Sequence, residues 1–183
     1  MRRKPTRIIS KTKKNEIVEI DENSVGIVTT FLGGTRTYII DKEDLPRVRN
    51  IKWTSSASPG CPTYCRGTLM DQHKVRLHRL IMSFPDGLID HIDMDTCNNR
   101  KSNLRIATYK QNKINQRVRR DSSSGIKGVY KRGERYRAVL SINGRSKIIG
   151  YFGSKREAAI AYNQAASEHF GEFAFVNDID GLD

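Results

Sequence analysis

Residues 126–170 constrain the fold of this chain more tightly than any other stretch. Three strand-length segments, Ile126–Lys131, Arg135–Ile142 and Ser146–Phe152, follow one another closely. Gly133-Glu134 and Asn143-Gly144 fill the gaps, and such pairs supply the backbone freedom that a hairpin turn needs. Ser154 stands three residues before Glu157, the spacing of a capping box, and an alanine-rich run continues to Phe170. Gly171 sits where a helix C-cap belongs. The pattern predicts a three-stranded antiparallel sheet lying on one helix. Alternation puts Tyr136, Ala138, Leu140 and Ile142 on the face toward Ala158, Tyr162 and Ala165. Arg135, Arg137, Val139 and Ser141 share the other face. Lys127, Arg132, Arg145 and Lys147 are expected to extend that second, basic surface.

Upstream, the pattern is different. Residues 1–14 carry seven Lys and Arg and no acid, and read as a basic disordered arm. Ile17–Ile20 and Val25–Phe31 read as paired strands around Asp21-Glu-Asn-Ser24, with Thr37–Ile40 as a further strand. Asp41 and Asp44 mark a short helix running to about Val48, and Trp53 anchors a small core. Val75–Leu77 is a short strand and Arg79–Phe84 a buried helical turn closed by Pro85-Asp86-Gly87. Leu88–Ile92 and Asn103–Ala107 are strands around a polar loop, and Thr108–Arg119 is a basic helix. Asp121-Ser-Ser-Ser124 reads as the linker to the C-terminal module.

The chain's net charge of +13 favours polyanions, nucleic acid before acidic membrane. The charge is clustered: residues 108–147 hold twelve Lys and Arg against Asp121 and Glu134, while residues 15–50 are net acidic. No apolar run approaches the ~18 residues of a spanning helix, and no apolar segment follows the basic N-terminus. A cytoplasmic location is expected. Cys61, Cys65 and Cys97 cannot all pair within one chain, which fits a reducing compartment. With His73 or His78 they lack the two paired-Cys knuckles of a strong zinc signature.

Chemistry concentrates in residues 90–112. Asp90-His91 precedes a polar loop, Asn103-Leu104-Arg105 follows it, and Asn112 lies on the helical run. A carboxylate and an amide oxygen suit a hard cation that keeps waters and takes phosphate oxygens, so Mg²⁺ is expected, with Mn²⁺ as the substitute. Neighbours on a strand diverge, so Asp90 can face the cation while His91 faces a water. His91 titrates near neutrality and can accept a proton. Asn103, at the loop's end, can bond backbone and hold the His91 strand. Asp93-x-Asp95 lacks the Gly and Glu positions of a calcium loop. His78 is read as a buried structural residue that could also orient Asp90 or touch phosphate.

Leu77-His78-Arg79-Leu80-Ile81, Asp90-His91-Ile92-Asp93, Asn98-Asn99-Arg100 and Ser102-Asn103-Leu104-Arg105 together resemble the HNH nucleases with a ββα-metal fold. The nearest type is the homing endonucleases of phages and mobile introns. Tyr38–Pro46 and Lys52-Trp53 extend the likeness, which spans about residues 15–116. The resemblance implies His91 as general base, Asp90 and Asn112 as metal ligands and Asn103 as the residue orienting the base. His78 and Arg100 are supporting candidates. The third motif position is Asn112 where many members have His, as in the phage type.

Gly125–Tyr130, Tyr136-Arg-Ala138, Lys147–Gly153, Glu157–Ala166 and Gly171–Asn177 resemble the ethylene-response-factor (APETALA-two) type DNA-binding domain. That likeness implies a sheet entering the major groove of duplex DNA. Tyr136 replaces the usual Trp and Tyr130 an Arg, so the plant target sequence does not carry over.

The expected fold is α+β: a small β-rich N-terminal region, a ββα-metal nuclease module, then a three-stranded sheet on one helix. The expected bounds are an arm over 1–14, a nuclease domain over 15–120 with its core near 75–117, a linker over 121–124, a DNA-binding domain over 125–177 and a tail over 178–183. The expected activity is site-specific, metal-dependent hydrolysis of duplex DNA, as a nick or a double-strand break. Arg117, Arg119 and Arg120 track phosphates between the modules. Neither a membrane nor a small-molecule substrate is expected, and monomer or dimer stays open. The rival readings are a non-catalytic DNA-binding regulator, and after it an RNA binder or ribonuclease.

Overall fold

The computed structural model describes residues 7–11, 15–31, 34–55, 63–118, 122 and 124–182. The chain divides into two compact units, residues 1–108 and 109–183. The boundary falls before the basic helix, not at the Asp121–Ser124 segment expected to be the linker.

The first unit opens on four antiparallel strands in sequence order: β1 (Arg7–Lys11), β2 (Glu16–Glu19), β3 (Ser24–Phe31) and β4 (Gly34–Asp41). Strand β1 corrects the expected disordered arm, since Arg7–Lys11 pairs along β2 and so satisfies its backbone groups. The rest of residues 1–14 lies outside the described residues. Residues alternating along β3 and β4, namely Val25, Ile27, Tyr38 and Ile40, are fully buried. They meet Val48 of α1 (Leu45–Val48), with Trp53, Leu77 and Leu104, in one core. Trp53 is 2% exposed, and its indole N–H donates to the Val48 carbonyl at 2.9 Å. It anchors the core as its size predicts.

A small sheet of β5 (Trp53–Thr54), β6 (Arg66–Thr68) and β7 (Lys74–Arg76) leads into α2 (Leu77–Ile81). The chain then turns into an antiparallel pair, β8 (Leu88–His91) and β9 (Leu104–Ala107). Both lie within a residue of the predicted strands.

The second unit begins with α3 (Tyr109–Ile114), shorter than the Thr108–Arg119 run expected. Strands β10 (Val129–Arg132), β11 (Arg135–Ile142) and β12 (Arg145–Phe152) form the antiparallel sheet, and α4 (Lys155–Phe170) covers one face. Asn143 and Gly144 both have positive φ, as the tight turn between β11 and β12 requires. The capping box is present: Ser154 Oγ accepts from Glu157 N, and Glu157 Oε2 accepts from Ser154 N. Tyr136, Ala138, Leu140 and Ile142 pack with Ala158, Tyr162 and Ala165, as alternation predicts.

Two edges of this unit differ from expectation. Ser124 is buried, and its hydroxyl bonds the backbone of Ile126 and Val129, so it belongs to the folded unit. Ile179 and Leu182 pack against the same core, so the segment after Asn177 is not a loose tail. Among the described residues, no helix is long and apolar enough to cross a membrane.

Gly128 shows how tightly the sheet and helix meet. Its φ is +74°, and a Cβ there would lie 2.1 Å from the Tyr162 ring and 2.8 Å from the Val139 carbonyl. Gly128→Ala should therefore lower stability by about 1–3 kcal/mol, read as a fall in the urea midpoint.

Candidate active site

The register of β8 against β9 builds the site. Asp90 lies directly opposite Arg105, and His91 opposite Leu104. Arg105 Nε and Nη2 donate to Asp90 Oδ2 at 3.0 and 2.7 Å. The two side chains are only 7% and 10% exposed, so the guanidinium neutralises a carboxylate that water hardly reaches. Asp90 and His91 are thus brought together as neighbours, each with its own buried partner.

The His91 partner is Asn99. Its Oδ1 lies 3.4 Å from His91 Nε2, and Asn99 is 1% exposed. The Asn99 amide nitrogen donates to the Thr96 carbonyl at 3.2 Å. Its backbone N–H donates to the Ile39 carbonyl at 2.7 Å, and Ile39 N–H donates to the Cys97 carbonyl. Strand β4 therefore fixes the loop that carries Asn99. Nothing local in the sequence singles Asn99 out from the other amides of this polar loop.

His78 is buried beside this pair. Its ring packs edge-on against His91 at 5.3 Å and against Tyr64 at 5.1 Å. Burial pushes the His78 pKa down to about 3, helped by His91, Arg76 and Arg79. Burial also lowers the His91 pKa, opposed by the Asn99 contact and by Asp93, Asp90 and Asp95. Both imidazoles are therefore neutral near pH 7, and His91 keeps a lone pair for a proton.

Asn103 works on the loop. Its Oδ1 accepts from Asp93 N at 3.0 Å, and its Nδ2 donates to Asp93 Oδ1 and the Asn98 carbonyl, each at 2.8 Å. Its own carbonyl accepts from Ile92 N. The side chain thus ties the loop together, and the residue against the imidazole is Asn99. Arg100 Nη2 donates to Asp21 Oδ2 and Ser24 Oγ, at 2.9 and 3.0 Å, so any support it gives the site comes through the loop. Asn112 lies half-buried on α3, within the second unit.

Among the described residues, no three His, Cys, Asp or Glu side chains gather to hold a metal ion. One buried carboxylate with amide oxygens fits a hard divalent cation only when phosphate and water complete its shell.

A relative from Acanthamoeba polyphaga mimivirus, named as an uncharacterized HNH endonuclease, is 34% identical over 187 aligned positions. The alignment covers 97% of this chain and 95% of the relative. This chain belongs to the HNH endonuclease family. No family model matches it, and no solved structure matches it.

The basic residues of this HNH protein's second unit do not form one surface. Arg132 and Arg135 face each other across β10 and β11, and Arg137 sits between Tyr130 and Tyr151. These share the sheet face away from α4. Lys147 pairs with Leu140 and Arg145 with Ile142, which places them on the α4 side. The cause is a bulge in the β11–β12 register between Ala138 and Val139, which reverses the alternation along β12. Lys127 is also corrected: its ammonium donates to the Ile114 and Gln116 carbonyls and lies 4.6 Å over the Phe175 ring. Burial lowers its pKa to about 8. Arg135 donates to the Tyr151 carbonyl at 2.8 Å yet remains exposed. Arg117 is exposed, while Arg119 and Arg120 lie outside the described residues. Sequence reasoning missed Tyr130, Ile148 and Tyr151, each about half exposed on the outer face at 47%, 50% and 49%.

The depressed imidazoles make stability pH-dependent. Their contribution is complete above the ordinary His value of 6.5 and is lost as pH falls toward about 3, the folded value for His78. Urea midpoints measured across that window should fall on acidification, and His78→Gln should flatten the fall.

Proposed function

We propose that this chain is a metal-dependent, site-specific DNA endonuclease of homing type. The observation that carries the reading is the buried Asp90–His91 pair at the end of β8, in a chain of the HNH family with a net charge of +13. A neutral imidazole beside a carboxylate whose counter-ion is already in place is the equipment for hydrolysing a phosphodiester.

Asp90 would hold the divalent cation, Mg²⁺ or Mn²⁺, and Asn112 would join it on the strength of the family resemblance alone. Bound there, the cation would supply charge stabilisation on the phosphate and the leaving oxygen. His91 takes the proton from the attacking water, and the new oxygen–phosphorus bond forms as the 3′ oxygen leaves and takes a proton from solvent. The products are a 5′-phosphate and a 3′-hydroxyl. One such site cuts one strand, so a single chain nicks and a double-strand break takes a second copy or a second visit.

The second unit supplies affinity and register on duplex DNA. The sequence resemblance to the ethylene-response-factor type of domain is what suggests this role for the three-stranded sheet on one helix. Arg132, Arg135 and Arg137 offer donors to phosphate or guanine, and Tyr130, Ile148 and Tyr151 offer apolar contact of the kind a thymine methyl accepts. Arg145 and Lys147 lie on the other side and reach phosphate only from the sheet's end.

The test is conversion of supercoiled plasmid to open circles, using a plasmid that carries the uninterrupted sequence flanking the gene. With Mg²⁺ the wild type should nick it, and His91→Ala should be slower by about 10²–10⁴-fold. A folded wild type that leaves this plasmid intact, or a His91→Ala variant as fast as wild type, would overturn the reading.

A further inference from the structure

We infer that Asn99 is the positioning residue for His91, fixing the imidazole as the Nε2–H tautomer so that Nδ1 is the basic nitrogen. The inference deepens the proposed nuclease reading and rests on His91 as its base.

The argument is one of donors and acceptors. The Thr96 carbonyl can only accept, so the amide nitrogen of Asn99 must face it, as its 3.2 Å contact requires. The amide oxygen then faces His91 Nε2 at 3.4 Å, longer than an ordinary N–H···O bond but within reach of one. An amide oxygen can only accept, so Nε2 carries the hydrogen. In a neutral ring Nδ1 then holds the lone pair.

Three features keep Asn99 from turning over. It is 1% exposed, so no bulk water can replace a lost partner. Its backbone N–H is held by Ile39, and Asn98 bridges to the same residue of β4. A flipped amide would set its oxygen against the Thr96 carbonyl and its NH₂ against the imidazole. The resemblance assigns the orienting task to Asn103, but the amide of Asn103 is spent on Asp93 and Asn98. Asn103 shapes the loop, and Asn99 sets the base.

The experiment uses the full chain, labelled with ¹⁵N and free of metal. Long-range ¹H–¹⁵N correlation at pH 7.5 reads which His91 nitrogen carries the proton. The wild type should show Nε2–H. Asn99→Leu removes the acceptor at Nε2 and should admit the Nδ1–H form. On the plasmid, Asn99→Leu should lower kcat about 10- to 100-fold with KM little changed.

A wild-type His91 found mainly as Nδ1–H would overturn the inference, whatever the variant does. So would an Asn99→Leu protein, folded by its amide spectrum, that stays wholly Nε2–H. The predicted tautomers in a wild type that does not nick would support the positioning role and overturn the nuclease reading on which its purpose rests.

Discussion

The rest of the site depends on the register of β8 against β9. With Asp90 opposite Arg105, a buried carboxylate meets a buried guanidinium on the same face of the hairpin. An unpaired charge at that depth would cost several kcal/mol, so the pairing itself penalises any slip. A shift by one residue would turn each of Asp90 and His91 to the face opposite its present one and strip both of their partners. The Asp90–Arg105 pair is therefore a lock on register as well as a charge balance.

The loop between the two strands needs a second frame, which the N-terminal sheet provides. Ile39 of β4 exchanges backbone hydrogen bonds with Cys97 and Asn99. Asp41 Oδ2 accepts from Lys101 N at 2.8 Å, Lys101 Nζ lies 3.1 Å from Asp44, and Arg100 reaches Asp21. The acidic bias of residues 15–50 thus has a local meaning. Its carboxylates hold the cations of the loop that delivers Asn99. Exposed pairs among these add little energy each, but they converge on one short segment.

Local patterns were legible where local physics decides. The capping box at Ser154, the Asn143-Gly144 turn and the alternation along β11 all appear as read, because each is set by neighbours in sequence. Asp90 and His91 were legible for the same reason, as adjacent residues at the end of a strand. Asn99 was not, because its anchor is Ile39, distant along the chain. The face of Lys147 was not, because a bulge is a property of two paired strands. Lys127 looked like a phosphate ligand until its ammonium was found on the carbonyls that end α3. Arg7–Lys11 looked like a bare arm because its pairing partner is another strand rather than an apolar face of its own.

The central claim is that Asp90 holds a divalent cation when DNA is present. Electron paramagnetic resonance of Mn²⁺ titrated into the full chain with duplex DNA tests it directly. The account predicts one tightly held ion per chain in the wild type, lost in Asp90→Asn, which keeps an acceptor for Arg105, while DNA binding persists. Equal Mn²⁺ binding by the two proteins would contradict it.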